Sequence, residues 1–190
     1  MSTDSSSCYA PLFKKSVVVC FSGEIDTVET VTTGSLYVRY QLVMGDRWDL
    51  VAGPSEGVSQ LALSERTPGD CSRSFTINWP VEWTVKGTGA SPLGWPRLAI
   101  ALYGPDLFGR DIPKGYGVVR LPMEPGRSRV SVDIFSPKMG GMMDGISDFF
   151  AGVRPEFTSV ATLASGVARH TTKTSSGGKM FINLDVAFAN

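Results

Sequence analysis

The sequence predicts an all-β, antiparallel chain, and three observations carry that reading. From Ser74 to Lys86, the residues Phe75, Ile77, Trp79, Val81, Trp83 and Val85 take every odd position, and polar side chains fill the even ones apart from Pro80. A two-residue period gives one apolar and one wet face, as on an antiparallel sheet with a solvated side. Leu98 to Tyr103 is apolar throughout. Leu98, Ile100 and Leu102 therefore point one way and Ala99, Ala101 and Tyr103 the other, the pattern of a central strand covered on both sides. Elsewhere the chain breaks into short alternating runs punctuated by Gly and Pro, with one stretch of helical period.

Residues 1–12 are Ser-rich and without period, which predicts a loose tail ahead of a single domain over 13–190. Val17 to Phe21 is a β-branched run ended by Ser22-Gly23. In Tyr37–Met44, the residues Val38, Tyr40, Leu42 and Met44 alternate with Tyr37, Arg39, Gln41 and Val43, a half-buried strand. Residues 45–57 read as a loop carrying Asp46, Trp48 and Asp49, with a short strand to follow from Val58 to Leu63. Pro80 has no N–H, so its strand must bend, bulge or lie at an edge there. Tyr116–Leu121 and Arg129–Ile134 are further strands, and Met180, Ile182, Leu184, Val186 and Phe188 mark the last. Ser175-Ser176-Gly177-Gly178 reads as a hairpin turn out of a polar strand around Val167 to Lys173. Eight or nine strands spaced by turns predict a β-sandwich or barrel.

The exception is Met139, Met142, Met143, Ile146, Phe149, Phe150 and Val153, whose spacing traces one face of a short helix near the C-terminal third. Gly140, Gly141, Gly145 and Gly152 weaken it, each by about 1 kcal/mol relative to Ala, so it needs something to pack against. Three roles fit: covering the end of the sandwich, entering a partner's groove, or lying on a membrane. Met139, Met142, Met143, Ile146, Phe149 and Phe150 are thus the candidate partner or membrane contacts. Asp144, Ser147 and Asp148 make the polar face acidic, whereas a helix drawn to anionic lipid is basic there.

Composition narrows the function classes. Eighteen basic and eighteen acidic residues cancel, giving no electrostatic case for a nucleic-acid partner. Cys8, Cys20 and Cys71 are sparse, odd in number and without Cys-x-x-Cys spacing, which predicts reduced thiols in a cytoplasmic setting. No apolar run approaches the ~20 residues of a spanning helix.

Catalysis finds no machinery. The single histidine, His170, stands in a polar stretch, and without a second His the scattered Cys assemble no zinc set. Gly115-Tyr116-Gly117 lacks a third glycine and opens a strand, so it is a tight strand entry rather than a dinucleotide fingerprint. Asp46 with Asp49, and Asp106 with Asp111, offer two carboxylates per loop beside Arg47 and Arg110. A calcium ion takes six to eight oxygens, so turn-forming or capping roles fit these aspartates better. Arg127, Arg129 and Lys138 read as a solvated face. The sequence predicts neither enzyme nor cofactor.

One set of motifs says more. Gly94-Trp95-Pro96, Tyr103-Gly104-Pro105-Asp106, Phe108-Gly109, Gly115-Tyr116-Gly117 and Pro125-Gly126-Arg127 occur in this order. With them stand Gly57-Val58-Ser59-Gln60, Asn78-Trp79-Pro80-Val81 and Arg154-Pro155-Glu156-Phe157-Thr158. Together they resemble the B9 domain family over Ser16 to Phe188. The Ser-rich start and the Gly-rich Met139–Met143 segment depart from the family pattern. The resemblance implies an antiparallel C2-like β-sandwich of about eight strands with one short inserted helix. It also implies a cytoplasmic scaffold at the cilium base, in the transition zone or basal body, within the Meckel syndrome or tectonic-like complex that limits membrane-protein diffusion and supports ciliogenesis. The implied partners are B9 domain-containing protein 2, the Meckel syndrome type 1 protein and other transition-zone proteins. A calcium-independent peripheral lipid-binding module that recruits this complex to membrane is the alternative.

Overall fold

The structure, a computed structural model, describes residues 16–66, 72–88, 93–106, 108–137 and 174–189. These form β1 (Ser16–Thr30), β2 (Ser35–Val43), β3 (Trp48–Ala52), β4 (Glu56–Val58), β5 (Ala62–Leu63), β6 (Glu65–Arg66), β7 (Arg73–Thr88), β8 (Arg97–Pro105), β9 (Asp111–Arg120), β10 (Gly126–Pro137) and β11 (Thr174–Ala189). The predicted helix and its contact residues Met139, Met142, Met143, Ile146, Phe149 and Phe150, the tail, His170 and the Val167–Lys173 strand lie outside the described residues.

The strands are ordered β3-β7-β1-β11-β10-β9-β8-β2-β4, with β5 on β2 and β6 on β7. The pairings are antiparallel. At one point the sheet nearly parts: β10 meets β9 through the single pair Phe135 and Tyr116. There the sheet curls into two leaves that face each other. Tyr40 of β2 meets Trp83 of β7 edge-on at 5.8 Å, closing the inner faces over one apolar core. Gly115 and Gly117 face that core at the seam, where a Cβ on either would lie 2.6 Å or 2.9 Å from the side chain of Ile134. Two missing side chains let β10 tuck beneath β9.

The all-β architecture agrees with the sequence, and the differences in detail have physical reasons. β1 runs through Ser22-Gly23 because Gly23 admits β11, whose Leu184 Cα would be 3.0 Å from a Cβ there. A bulge between Ile25 and Thr27 moves the inward set from Val19, Phe21 and Ile25 to Val28 and Thr30, which hides the period. On β7 the matching irregularity holds Asn78 at φ 45°. Pro80 follows it on a stretch with β1 on one side and, among the described residues, no strand on the other.

Three expectations change. The loop 45–57 contains β3, whose Trp48 is buried against Gly87. Val58–Leu63 splits into β4 and β5, because Ser59 turns its polar groups on β2: its N–H donates to the Val38 carbonyl at 2.8 Å and its Oγ accepts the Val38 N–H at 2.9 Å. Ser175–Gly178 is not a hairpin turn. It lies within β11, where the register with β10 steps from Ile134–Gly178 to Phe135–Ser176 and leaves Gly177 as the extra residue.

Candidate functional site

The motif residues are the natural place to look for a site; Arg154–Thr158 lies outside the described residues, and the structure gives several of the others a role in the fold. Gly94 has φ +77°, and a Cβ on it would lie 2.8 Å from the Gly45 Cα. Only glycine lets these two loops touch, and the Gly45 N–H then donates to the Gly94 carbonyl at 2.9 Å. Trp95 enters the core edge-on to Trp48 at 4.9 Å and to Phe21 at 6.2 Å. Its indole N–H donates to the Leu121 carbonyl at 2.9 Å, while the Pro96 carbonyl accepts the Leu121 N–H at 3.1 Å. Gly94-Trp95-Pro96 thus ties the β2–β3, β7–β8 and β9–β10 connections together at one end of the sandwich. Gly57 makes room for the Tyr40 ring, and the Gln60 amide donates to the Ile77 carbonyl.

At the opposite end the β8–β9 hairpin is built on Asp106. One carboxylate oxygen accepts the N–H groups of Phe108 at 2.8 Å and Arg110 at 2.9 Å, and the other accepts the Arg110 guanidinium at 2.7 and 2.8 Å. Desolvation pushes the Asp106 carboxyl up, but the hydrogen bonds from Arg110 and Phe108 and the guanidinium charge outweigh it. The group is held below the usual carboxylate value. Arg110 also lies over the exposed Phe108 ring at 5.0 Å. Asp111 accepts the Tyr37 hydroxyl. Asp106 has the turn-forming role expected of it, whereas Asp111 begins β9 and ties it to Tyr37 of β2. Among the described residues, no group of three or more His, Cys, Asp or Glu side chains is placed to hold a metal ion.

Arg129 lies on the outer face of β10, paired with Asp26 at 3.2 Å and stacked on Phe181 at 4.5 Å. It belongs to a solvated face with Arg127, as read from the sequence, while Lys138 lies outside the described residues.

A second apolar cluster stands apart from the main core. Ala101, Tyr103 and Tyr116 are buried on the far face of the β9-β8-β2 leaf, with Tyr37, Val118 and Phe135 packed against them. Tyr37 and Tyr103 stack at 5.6 Å, nearly parallel, and Tyr116 meets Phe135 at 6.4 Å. The sequence signal for this cluster is the apolar second face of Leu98–Tyr103.

The comparisons with known proteins bear on a chain of this architecture. The model of the B9-C2 family, described as "Ciliary basal body-associated, B9 protein", matches residues 19–187. The chain belongs to the B9-C2 family. B9 domain-containing protein 1 of Xenopus laevis is 36% identical over 87% of this chain and 81% of its own length. Its Mus musculus counterpart is 33% identical over 88% and 78%. Human B9 domain-containing protein 2 is 26% identical over 88% of this chain and 91% of its own length. A C2 domain of plant extended synaptotagmin 1 aligns over 91% of this chain and 95% of its own, at 12% identity and a TM-score of 0.36, too low to carry weight. This B9 family is associated with the ciliary basal body and is not a known enzyme family.

Proposed function

We propose that this B9 chain is a non-catalytic scaffold subunit of the ciliary transition zone, docking onto other B9-domain proteins in the Meckel syndrome or tectonic-like complex to build the diffusion barrier at the cilium base and support ciliogenesis. Its proposed partners are B9 domain-containing protein 2 and the Meckel syndrome type 1 protein, with cytoplasmic placement at the cilium base. Met139, Met142, Met143, Ile146, Phe149 and Phe150 are proposed contacts of the assembly.

One observation carries the reading. Gly57, Gly94, Trp95 and Gly115 of the family motifs serve close approaches and core packing, while Val58 of the Gly57–Gln60 motif stands with Leu61 and Leu63, 49–73% exposed, along the β4–β5 edge beside β2. A single exposed Leu is ordinary, but three apolar side chains within six residues at a sheet edge form a surface that a neighbouring domain buries. Leu61→Glu with Leu63→Glu is expected to abolish co-purification with the two partners while the circular dichroism spectrum is unchanged. Full co-purification of that variant overturns the assignment of this edge.

The second reading, a calcium-independent lipid-binding module, is favoured by Phe108. This ring is 62% exposed at a hairpin tip whose Asp106 is paired with Arg110. Flotation with anionic and neutral liposomes in the presence of a chelator tests it, and failure to float with either eliminates it.

A further inference from the structure

Ser59 stands where the outermost strand of the β2 leaf breaks. β4 pairs Val58, Gly57 and Glu56 with Arg39, Tyr40 and Gln41, and the next pair in that register is Ser59 with Val38. The Ser59 N–H donates to the Val38 carbonyl at 2.8 Å, as in a regular ladder. The Val38 N–H goes instead to the Ser59 Oγ at 2.9 Å, and that hydroxyl donates to the Gln60 carbonyl at 2.9 Å. A side chain has taken the place of a backbone acceptor. Pairing resumes between Leu36 and Ala62, so Gln60 and Leu61 both stand opposite Tyr37 and form a bulge.

The bulge serves the other leaf as well. The Gln60 side-chain amide donates to the Ile77 carbonyl of β7. Among the described residues, no strand pairs with β7 on that side between β6 and β3. One dipeptide therefore interrupts the open edge of one leaf and occupies a carbonyl at the open edge of the other. Without the extra residue, Val58, Leu61 and Leu63 would alternate with Ser59 and Ala62 along an unbroken strand beside β2. A long, flat, apolar edge of that kind invites another strand, and a bulge is one of the devices that prevents it.

We infer that Ser59 and Gln60 guard both edges against strand pairing. The apolar row of Val58, Leu61 and Leu63 is thereby open to the side chains of a partner and closed to an added strand, above all that of a second copy of this chain. The inference rests on the hydrogen bonds of the edge and is independent of which protein covers it.

The test heals the edge in the full chain. Ser59→Val combined with deletion of Gln60 restores the two-residue alternation from Glu56 to Leu63. Light scattering from dilute to concentrated solution compares this variant with the unaltered chain. The unaltered chain is expected to keep one mass, and the variant to rise at least about twofold as copies pair. Amide exchange over residues 56–63 is expected to slow as it does so. Adding Leu61→Lys, a charge on the healed edge, is expected to restore the single mass. A folded variant whose mass does not change overturns the inference. Association that survives Leu61→Lys overturns it too, as does an unaltered chain that associates with slowed exchange over 56–63. If the deletion variant loses its circular dichroism spectrum, Ser59→Val alone is held to the same criterion. Ser59→Thr, which keeps the hydroxyl, is then the control expected to hold one mass.

Discussion

The Trp95 indole N–H donates to the Leu121 carbonyl at 2.9 Å, across the end of the sandwich where three loops meet. Trp95 is 6% exposed and edge-on to both Trp48 and Phe21, so one side chain carries packing and a buried polar contact together. Trp95→Phe keeps most of the ring contact but strands the Leu121 carbonyl, a loss of about 1–3 kcal/mol. Trp95→Ala adds a cavity and costs about 3–5 kcal/mol. Urea denaturation of the two variants checks the order. Equal midpoints would mean that the hydrogen bond and the cavity contribute nothing separable.

Gly94 and Gly109 share a backbone conformation, φ +77° and +76°, but not an environment. A Cβ on Gly94 meets the Gly45 Cα at 2.8 Å, whereas a Cβ on Gly109 finds nothing within 4 Å. Gly109→Ala therefore carries the left-handed penalty alone, about 1–2 kcal/mol. Gly94→Ala carries the same penalty and also forces two backbones apart. Its melting temperature is expected to fall further than that of Gly109→Ala, and the reverse order would remove the steric account of the motif.

Asp106 supplies a pH dependence with a definite sign. Its folded-state value is depressed, so its contribution to stability is present above the ordinary carboxylate value, about 3.9, and is lost as pH falls through the lower folded value. Asp106→Asn should be destabilised relative to the unaltered chain at pH 7. The difference should shrink as pH is lowered below 4, where the unaltered chain loses its advantage too. Thermal unfolding at both pH values checks this, and a gap that widens in acid would contradict the hairpin assignment.

Elements whose two-residue period is uninterrupted were legible before the fold was seen. β7 announces itself through Phe75 to Val85, and β8 through an apolar run that proves to be a strand with both faces buried. Legibility fails where local chemistry serves a distant contact. Gly23 reads as a stop but admits β11, and Ser175–Gly178 reads as a turn but forms part of a strand. Trp48 reads as a loop residue because its partners, Gly87 and Trp95, lie far along the chain. The interaction surfaces are the least legible part. An exposed Leu61 and a buried Leu36 differ in position rather than chemistry, and only the fold assigns position.

The scaffold account is tested most directly by the mass of what the chain forms. The protein is co-expressed with B9 domain-containing protein 2 and the Meckel syndrome type 1 protein, then separated by size exclusion with light scattering. The account predicts one peak containing all three chains, with a mass above that of any of them alone. A B9 chain that elutes as a monomer, with both other proteins present and folded, would contradict it.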